Sequence, residues 1–205
     1  MGLYILSYGV ELAKLKQAFA SQDAALLEAV CASDTFESYA SQDFPGAVPT
    51  GEALRQIIFG EPYNVQSGHS YGYALICLCS YLGIDLNGHT DLKLGYVTDL
   101  IDDYLADDFD ITGIACAEDL LAEDLNLGLP PVADFPDSGV LLAAEIERLH
   151  QELANIAITD EEVEALLAGD AEQEERGIAY EGIKALKDRI DYCHRHKLAL
   201  ISFCH

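Results

Sequence analysis

The chain has 205 residues, half of them apolar, with 36 acidic and 11 basic side chains and a formal net charge of −25. That apolar content excludes a disordered chain, and the length suits one domain with a sizeable core. The charge repels nucleic acid and anionic membrane surfaces and favours cationic partners, unless it serves only to solvate the surface.

No positively charged segment precedes the opening apolar residues, so 2–10 reads as a first strand and not as a signal peptide. Leu6 stands where a myristoylation signal needs Ser or Thr. Leu12, Leu15 and Phe19 form one stripe of a helix over 11–19, and Ser21 is the expected cap of a second over 23–32, with Leu26, Leu27 and Val30 inward. A loop is expected at 44–49. Thr50 then caps a helix over 51–59, with Glu52 in its positively polarised first turn, and Gly60-Glu61-Pro62 stops it.

The most apolar stretch follows, Gly68-His69-Ser70-Tyr71-Gly72-Tyr73-Ala74-Leu75 and on to Gly83. Leu75, Leu78, Cys79 and Leu82 recur at helical spacing, the glycines permit close backbone approach, and Gly83 suits a C-cap. The run is too short to span a bilayer, so a soluble, cytoplasmic protein is expected. A loop through Asn87-Gly88-His89 comes next. Six cysteines, Cys31, Cys77, Cys79, Cys116, Cys193 and Cys204, lack a framework spacing and are expected as reduced, mostly buried thiols.

From Asp99 the character changes. Residues 1–98 hold 10 acids and 4 bases (net −6), 99–176 hold 23 and 2 (net −21), and 177–205 hold 3 and 5 (net +2). Leucines and isoleucines still recur through the acidic helical region at 99–176, which predicts amphipathic helices with acidic outer faces. A loop is expected over 129–137, and Thr159-Asp160-Glu161-Glu162 opens a short helix. A last helix runs over roughly 178–194, and 198–203 reads as a closing strand paired with the first. The fold class is therefore α+β: a mostly helical single domain whose small sheet pairs the N- and C-terminal strands.

The densest acidic cluster is the candidate partner-binding surface. On a helix Asp99, Asp102, Asp103 and Asp107 share a face, extended by Asp108 and Asp110, with Tyr104 as an aromatic anchor. Like charges at this spacing cost an isolated helix a few tenths of a kcal/mol per pair, roughly, so a solvated face or a used field are the two readings. The run Asp108 to Asp119 also matches an EF-hand loop in part, with Asp108, Asp110, Thr112, Gly113 and Asp119 at positions 1, 3, 5, 6 and 12. Thr at position 5 and Asp at position 12 depart from it, and an acidic interhelical turn is the alternative.

Cys193-His194-Arg195-His196, Cys204-His205, Cys77 and Cys79 lack zinc-site spacing, and His194 and His196 serve the negative pole of a helix more simply. No metal or other cofactor is expected. His69, Tyr71 and Tyr73 mark a possible pocket, in which His69 would meet Cys79 or a distant aspartate; the plainer reading has His69 or Ser70 capping the central helix. No phosphate-binding glycine loop or basic groove is present.

The segment Gly68-His69-Ser70-Tyr71-Gly72-Tyr73-Ala74-Leu75, with Asp134-Phe135-Pro136 and part of the closing Leu200-Ile201-Ser202-Phe203-Cys204-His205, resembles an uncharacterised bacterial family, a domain of unknown function. The resemblance spans essentially the whole chain and brings no catalytic residues. In charge and size the chain also resembles immunity proteins of bacterial toxin systems. The expected function is an acidic protein-binding module, an immunity-type inhibitor of a basic, toxin-like protein partner. A small enzyme around His69, a nucleic-acid-mimicking inhibitor and a calcium sensor are the alternatives.

Overall fold

The computed structural model describes residues 2–41, 45–88, 90, 92–122, 125–133 and 135–205. Phe44 and His89 of the expected loops, and Asp134 of the family-like segment, lie outside the described residues.

The two terminal strands lie at the centre of the sheet. β1 (Tyr4–Val10) runs antiparallel to β5 (Ala199–Cys204), pairing Ile5 with Cys204 through to Val10 with Ala199. β2 (Ile84–Asp85) and β3 (Leu92–Lys93) add to the far side of β1, and β4 (Asp137–Leu141) adds to the far side of β5, all antiparallel. Side chains alternate between the faces of a strand. Tyr8, Val10, Val140, Ala199, Ile201 and Phe203 therefore enter one core, while Ile5, Leu141, Leu200 and Cys204 enter another.

Each face is covered by its own half of the chain. The first is packed by α1 (Leu12–Ala18), α2 (Ala24–Cys31), α3 (Asp34–Ala40), α4 (Thr50–Phe59) and α5 (Gly68–Leu82). The second is packed by α6 (Val97–Phe109), α7 (Cys116–Leu121), α8 (Ala143–Leu153), α9 (Asp160–Leu167) and α10 (Ala171–His196). The chain passes between the layers at β2 and β3, close to where its charge changes. The near-balanced part of the sequence thus builds most of one layer, and the acidic part builds the other together with the net-positive stretch that forms most of α10.

Several local expectations are corrected. Asp23, not Ser21, caps α2, its Oδ1 accepting the Leu26 amide at 3.0 Å. Pro49 holds the cap position of α4, its carbonyl accepting from the Ala53 amide at 2.9 Å, and Thr50 is the buried first helical residue. Neither His69 nor Ser70 caps α5: Ser67 precedes it, and the Ser67 hydroxyl accepts instead from the Val48 amide at 3.1 Å. α10 begins at Ala171, because Asp170 and Gln173 form a capping box there, and the acid-rich first turns disguise the helix in sequence. α3 and β4 were not expected at all. β4 falls at and beyond the end of the expected loop, in Asp-Ser-Gly residues of poor strand propensity.

Two glycines explain the segment of α5 that stands out in sequence. A Cβ on Gly68 would lie 2.1 Å from the Pro131 carbonyl oxygen, and one on Gly72 would lie 2.7 Å from Pro136 Cγ. One turn apart, they let Pro131, Val132 and Pro136 lie directly on the helix. Gly68→Ala is expected to lower stability by about 1–3 kcal/mol, the usual cost of overpacking, as measured by urea denaturation.

Candidate partner-binding face

α6 is amphipathic, and its apolar stripe seats it on α10. Ile101 and Leu105 are fully buried, and Gly182 of α10 admits Ile101, whose Cδ1 would meet a Cβ there at 2.8 Å. The Thr98 hydroxyl accepts the Gly95 amide at 3.0 Å in the turn leading into the helix. Asp110 ends it in the left-handed conformation, φ 58°.

This seating separates the seven residues singled out in sequence. Asp99, Asp103, Asp107 and Asp110 remain exposed along one stripe. Asp102 does not join them: three residues advance a helix by 300° and four by 400°, so Asp102 lies about 100° behind Asp103. It faces α7, where its Oδ1 accepts the Cys116 amide at 2.7 Å. Asp108 is also engaged internally, accepting from Arg176 Nε and Nη2 at 3.1 and 2.7 Å and from the Tyr180 hydroxyl at 3.0 Å. Tyr104 is half-buried, edge-on to Tyr180 at 6.4 Å between centroids, with the Arg176 guanidinium 5.7 Å from its ring. Two carboxylates that sequence reading passed over, Glu172 and Glu175 of α10, join Asp108 in the field around Tyr104. Its hydroxyl is pushed up by burial first and then by Glu175.

The EF-hand-like run is held by arginine. Asp108 is engaged by Arg176, while Arg148 binds the Gly113 carbonyl at 3.0 Å, Glu152 at 3.2 Å and the Asp119 carboxylate. Asp119 also accepts from the Ala115 amide at 3.0 Å, beside the start of α7. Guanidinium groups thus engage the two carboxylates at the first and last positions of the run, Asp108 and Asp119, which a calcium loop would turn toward its ion. Arg148 and Arg176 are the only bases in 99–176, and two bases among 23 acids are themselves a readable sign of internal bridging.

The His69 segment diverges. Tyr71 is buried, its hydroxyl donating to Gln56 Oε1 and accepting the Asn64 amide at 2.7 Å. Tyr73 instead stacks on Tyr39 at 5.3 Å, and Tyr39 bonds His205 Nε2 at 2.8 Å. Neither tyrosine nor His69 lines either of two surface clefts, of about 520 and 400 Å³. Burial pushes the Cys79 thiol up, and pushes Cys77 up to about 12, away from thiolate chemistry. The zinc-like candidates also stand apart. His194 bonds Glu147 at 2.8 Å and stacks on His150, His196 lies against Tyr192, and Cys204 is buried in the sheet. Among the described residues, no group of three or more His, Cys, Asp and Glu side chains is placed to hold a metal ion.

Fold and face together define an acidic α+β protein: two helical layers on one antiparallel sheet, with exposed carboxylates ranged around an aromatic cluster on one layer. The chain belongs to the family described as domain of unknown function DUF7691, which matches residues 1–205. No curated protein and no solved structure matches it.

Two outcomes separate internal from available carboxylates. The Asp102 carboxyl is pushed up by burial, against the Cys116 amide and with Asp99, Asp103 and Asp119 adding to the rise. Its folded value lies above the unfolded one, so it opposes folding at neutral pH and ceases to as pH falls through that value. Asp102→Asn keeps an acceptor without the charge and is expected to leave stability unchanged or higher at pH 7. Asp102→Ala orphans the Cys116 amide and is expected to cost about 1–2 kcal/mol in urea denaturation.

Tyr180 gives a second test. Burial first, and then the bond to Asp108, pushes its hydroxyl up to about 12. An unfolded tyrosine ionises near ~10, so between those values the unfolded chain releases a proton that the folded chain keeps. Stability is expected to fall as pH rises through this window, and less steeply in Tyr180→Phe, by chemical denaturation at several alkaline pH values.

Proposed function

We propose that this protein is an acidic protein-binding module, an immunity-type inhibitor that neutralises a cationic toxin such as a nuclease in the bacterial cytoplasm. The observation that carries the reading is the exposed stripe Asp99, Asp103, Asp107 and Asp110, flanked by Glu172 and Glu175 around Tyr104. A nuclease holds phosphates in a basic cleft, and an acidic face complements such a cleft in charge. Tyr104 contributes apolar area at the centre, with a ring already in contact with one guanidinium. Among the described residues no helix is long and apolar enough to cross a membrane, which is compatible with the proposed location.

Charge density favours this reading over a nucleic-acid mimic. The exposed aspartates of α6 and its cap, from Asp99 to Asp110, span about eleven residues, roughly 16 Å. Duplex DNA carries a charge every ~1.7 Å of axis, or about ten over the same length. The α6 stripe is too sparse to imitate it alone.

The test is affinity capture of the tagged protein from its host lysate at low and high salt, followed by binding kinetics with the captured protein. A single basic partner released by salt is expected. Asp103→Lys/Asp107→Lys is expected to slow association by about tenfold or more, with a smaller effect on dissociation. A salt-insensitive complex, or association unchanged by the charge reversal, overturns the proposal.

A further inference from the structure

The β1–β5 ladder continues for one pair beyond β5. The Tyr4 amide donates to the His205 carbonyl at 3.1 Å, and the His205 amide to the Tyr4 carbonyl at 3.2 Å. Ala199, Ile201 and Phe203 enter the first core, and strand alternation carries the His205 side chain to the same face. There it meets α3 and α5. Its Nε2 lies 2.8 Å from the Tyr39 hydroxyl. Its ring is edge-on to Tyr39 and Tyr73, with centroids 5.2 and 6.1 Å away and planes crossed at 69° and 86°. The two tyrosine rings stack on each other at 5.3 Å, and both are buried. One imidazole thus ties α3, 166 positions away, to the end of the central ladder.

These surroundings suit a neutral ring. Burial pushes the Tyr39 hydroxyl up, away from ionisation, so the phenol is the donor and Nε2 of the neutral imidazole the acceptor. The groups that face His205 are Tyr39 of α3, Tyr73 of α5 and Tyr4, its cross-strand neighbour on β1. The nearest charges of the flanking strands are set against its neighbours: Asp137 of β4 lies opposite Cys204, and Lys93 of β3 opposite Tyr4. Asp85 of β2 acts on Tyr39. Among the described residues no carboxylate forms an ion pair with His205, in contrast to His150 and His194. A proton on His205 therefore removes the acceptor from Nε2 and sets a charge among phenol rings.

We propose that His205, Tyr39 and Tyr73 form an acid-sensitive latch, which holds α3 to the end of the central ladder at neutral pH and releases it on acidification. Burial pushes the His205 imidazole below its ordinary value. The unfolded or opened chain then binds the proton first, so the latch weakens as pH falls through ~6.5, the ordinary histidine value. α5 is anchored separately by the fully buried Ile76, Leu78 and Cys79, which confines the release to α3 and the ends of β1 and β5. The latch lies on the layer opposite the α6 face and is independent of what that face binds.

The test is NMR on the isotopically labelled full chain between about pH 7.5 and about pH 5.5, the range in which histidine changes charge. The His205 ring signals, identified by their loss in His205→Gln, are expected to titrate below ~6.5. Tyr39→Phe keeps the ring but removes the donor to the neutral form, and is expected to move that titration upward. Amide exchange, corrected for the intrinsic effect of pH, is expected to quicken about fivefold or more on acidification in 36–40 and 4–6. The same correction is expected to leave α8 unchanged, and His205→Gln to abolish the quickening in 36–40. A His205 ring that titrates at or above ~6.5 overturns the proposal. So does exchange that fails to quicken in the native chain, or that quickens equally in His205→Gln. The native titration decides the matter even where a variant fails to fold.

Discussion

The β1–β5 ladder is the interaction on which the rest of this structure depends. It joins residues such as Ser7 and Ser202, 195 positions apart, whose buried hydroxyls meet at 2.9 Å. Closing a loop of that length costs about 5 kcal/mol in chain entropy beyond a constant. Every residue of β5 is buried, and burying a side chain such as Leu200, Ile201 or Phe203 contributes about 1.5–3 kcal/mol each. Burial of those three offsets the length-dependent cost of closure. Because the two strands are central, each face of the ladder becomes the floor of a separate core. β4 and the short strands β2 and β3 find their places only as additions to this pair.

A consequence of that arrangement is electrical. The helices that cover one face come from the near-balanced part of the sequence; those that cover the other come from the acidic part and, for most of α10, from the net-positive end that follows it, so the acidic residues are concentrated on one side of the sheet. The acidic layer survives its own repulsion partly through two arginines. Arg176 binds Asp108 beside Tyr104 and Tyr180, and Arg148 closes the 113–119 turn. Both bridges are partly exposed, and pairs of that kind contribute modestly on their own. Their larger effect is to consume carboxylates from the middle of the field, leaving the stripe on α6 and the acids of α10 around an aromatic centre.

Much of the framework was legible in the sequence. Apolar stretches marked β1 and β5, leucine periodicity marked the helices, Thr159 marked the start of α9, and the 23 acids of 99–176 marked the acidic helices. These features are local, set by residue composition and by the 3.6-residue helical repeat. β4 was not legible, since Asp137, Ser138 and Gly139 become a strand only because β5 offers a ladder and α7 needs a glycine beneath it. Nor was the split of Asp102 and Asp108 from their exposed neighbours, which was decided by the Cys116 amide and by Arg176, 14 and 68 residues distant. By itself, the sequence determined that this protein is α+β, built on its terminal strands and acidic in one continuous region. Only the tertiary structure decided which carboxylates stay available, because that depends on which partner, remote in sequence, arrives within hydrogen-bond distance.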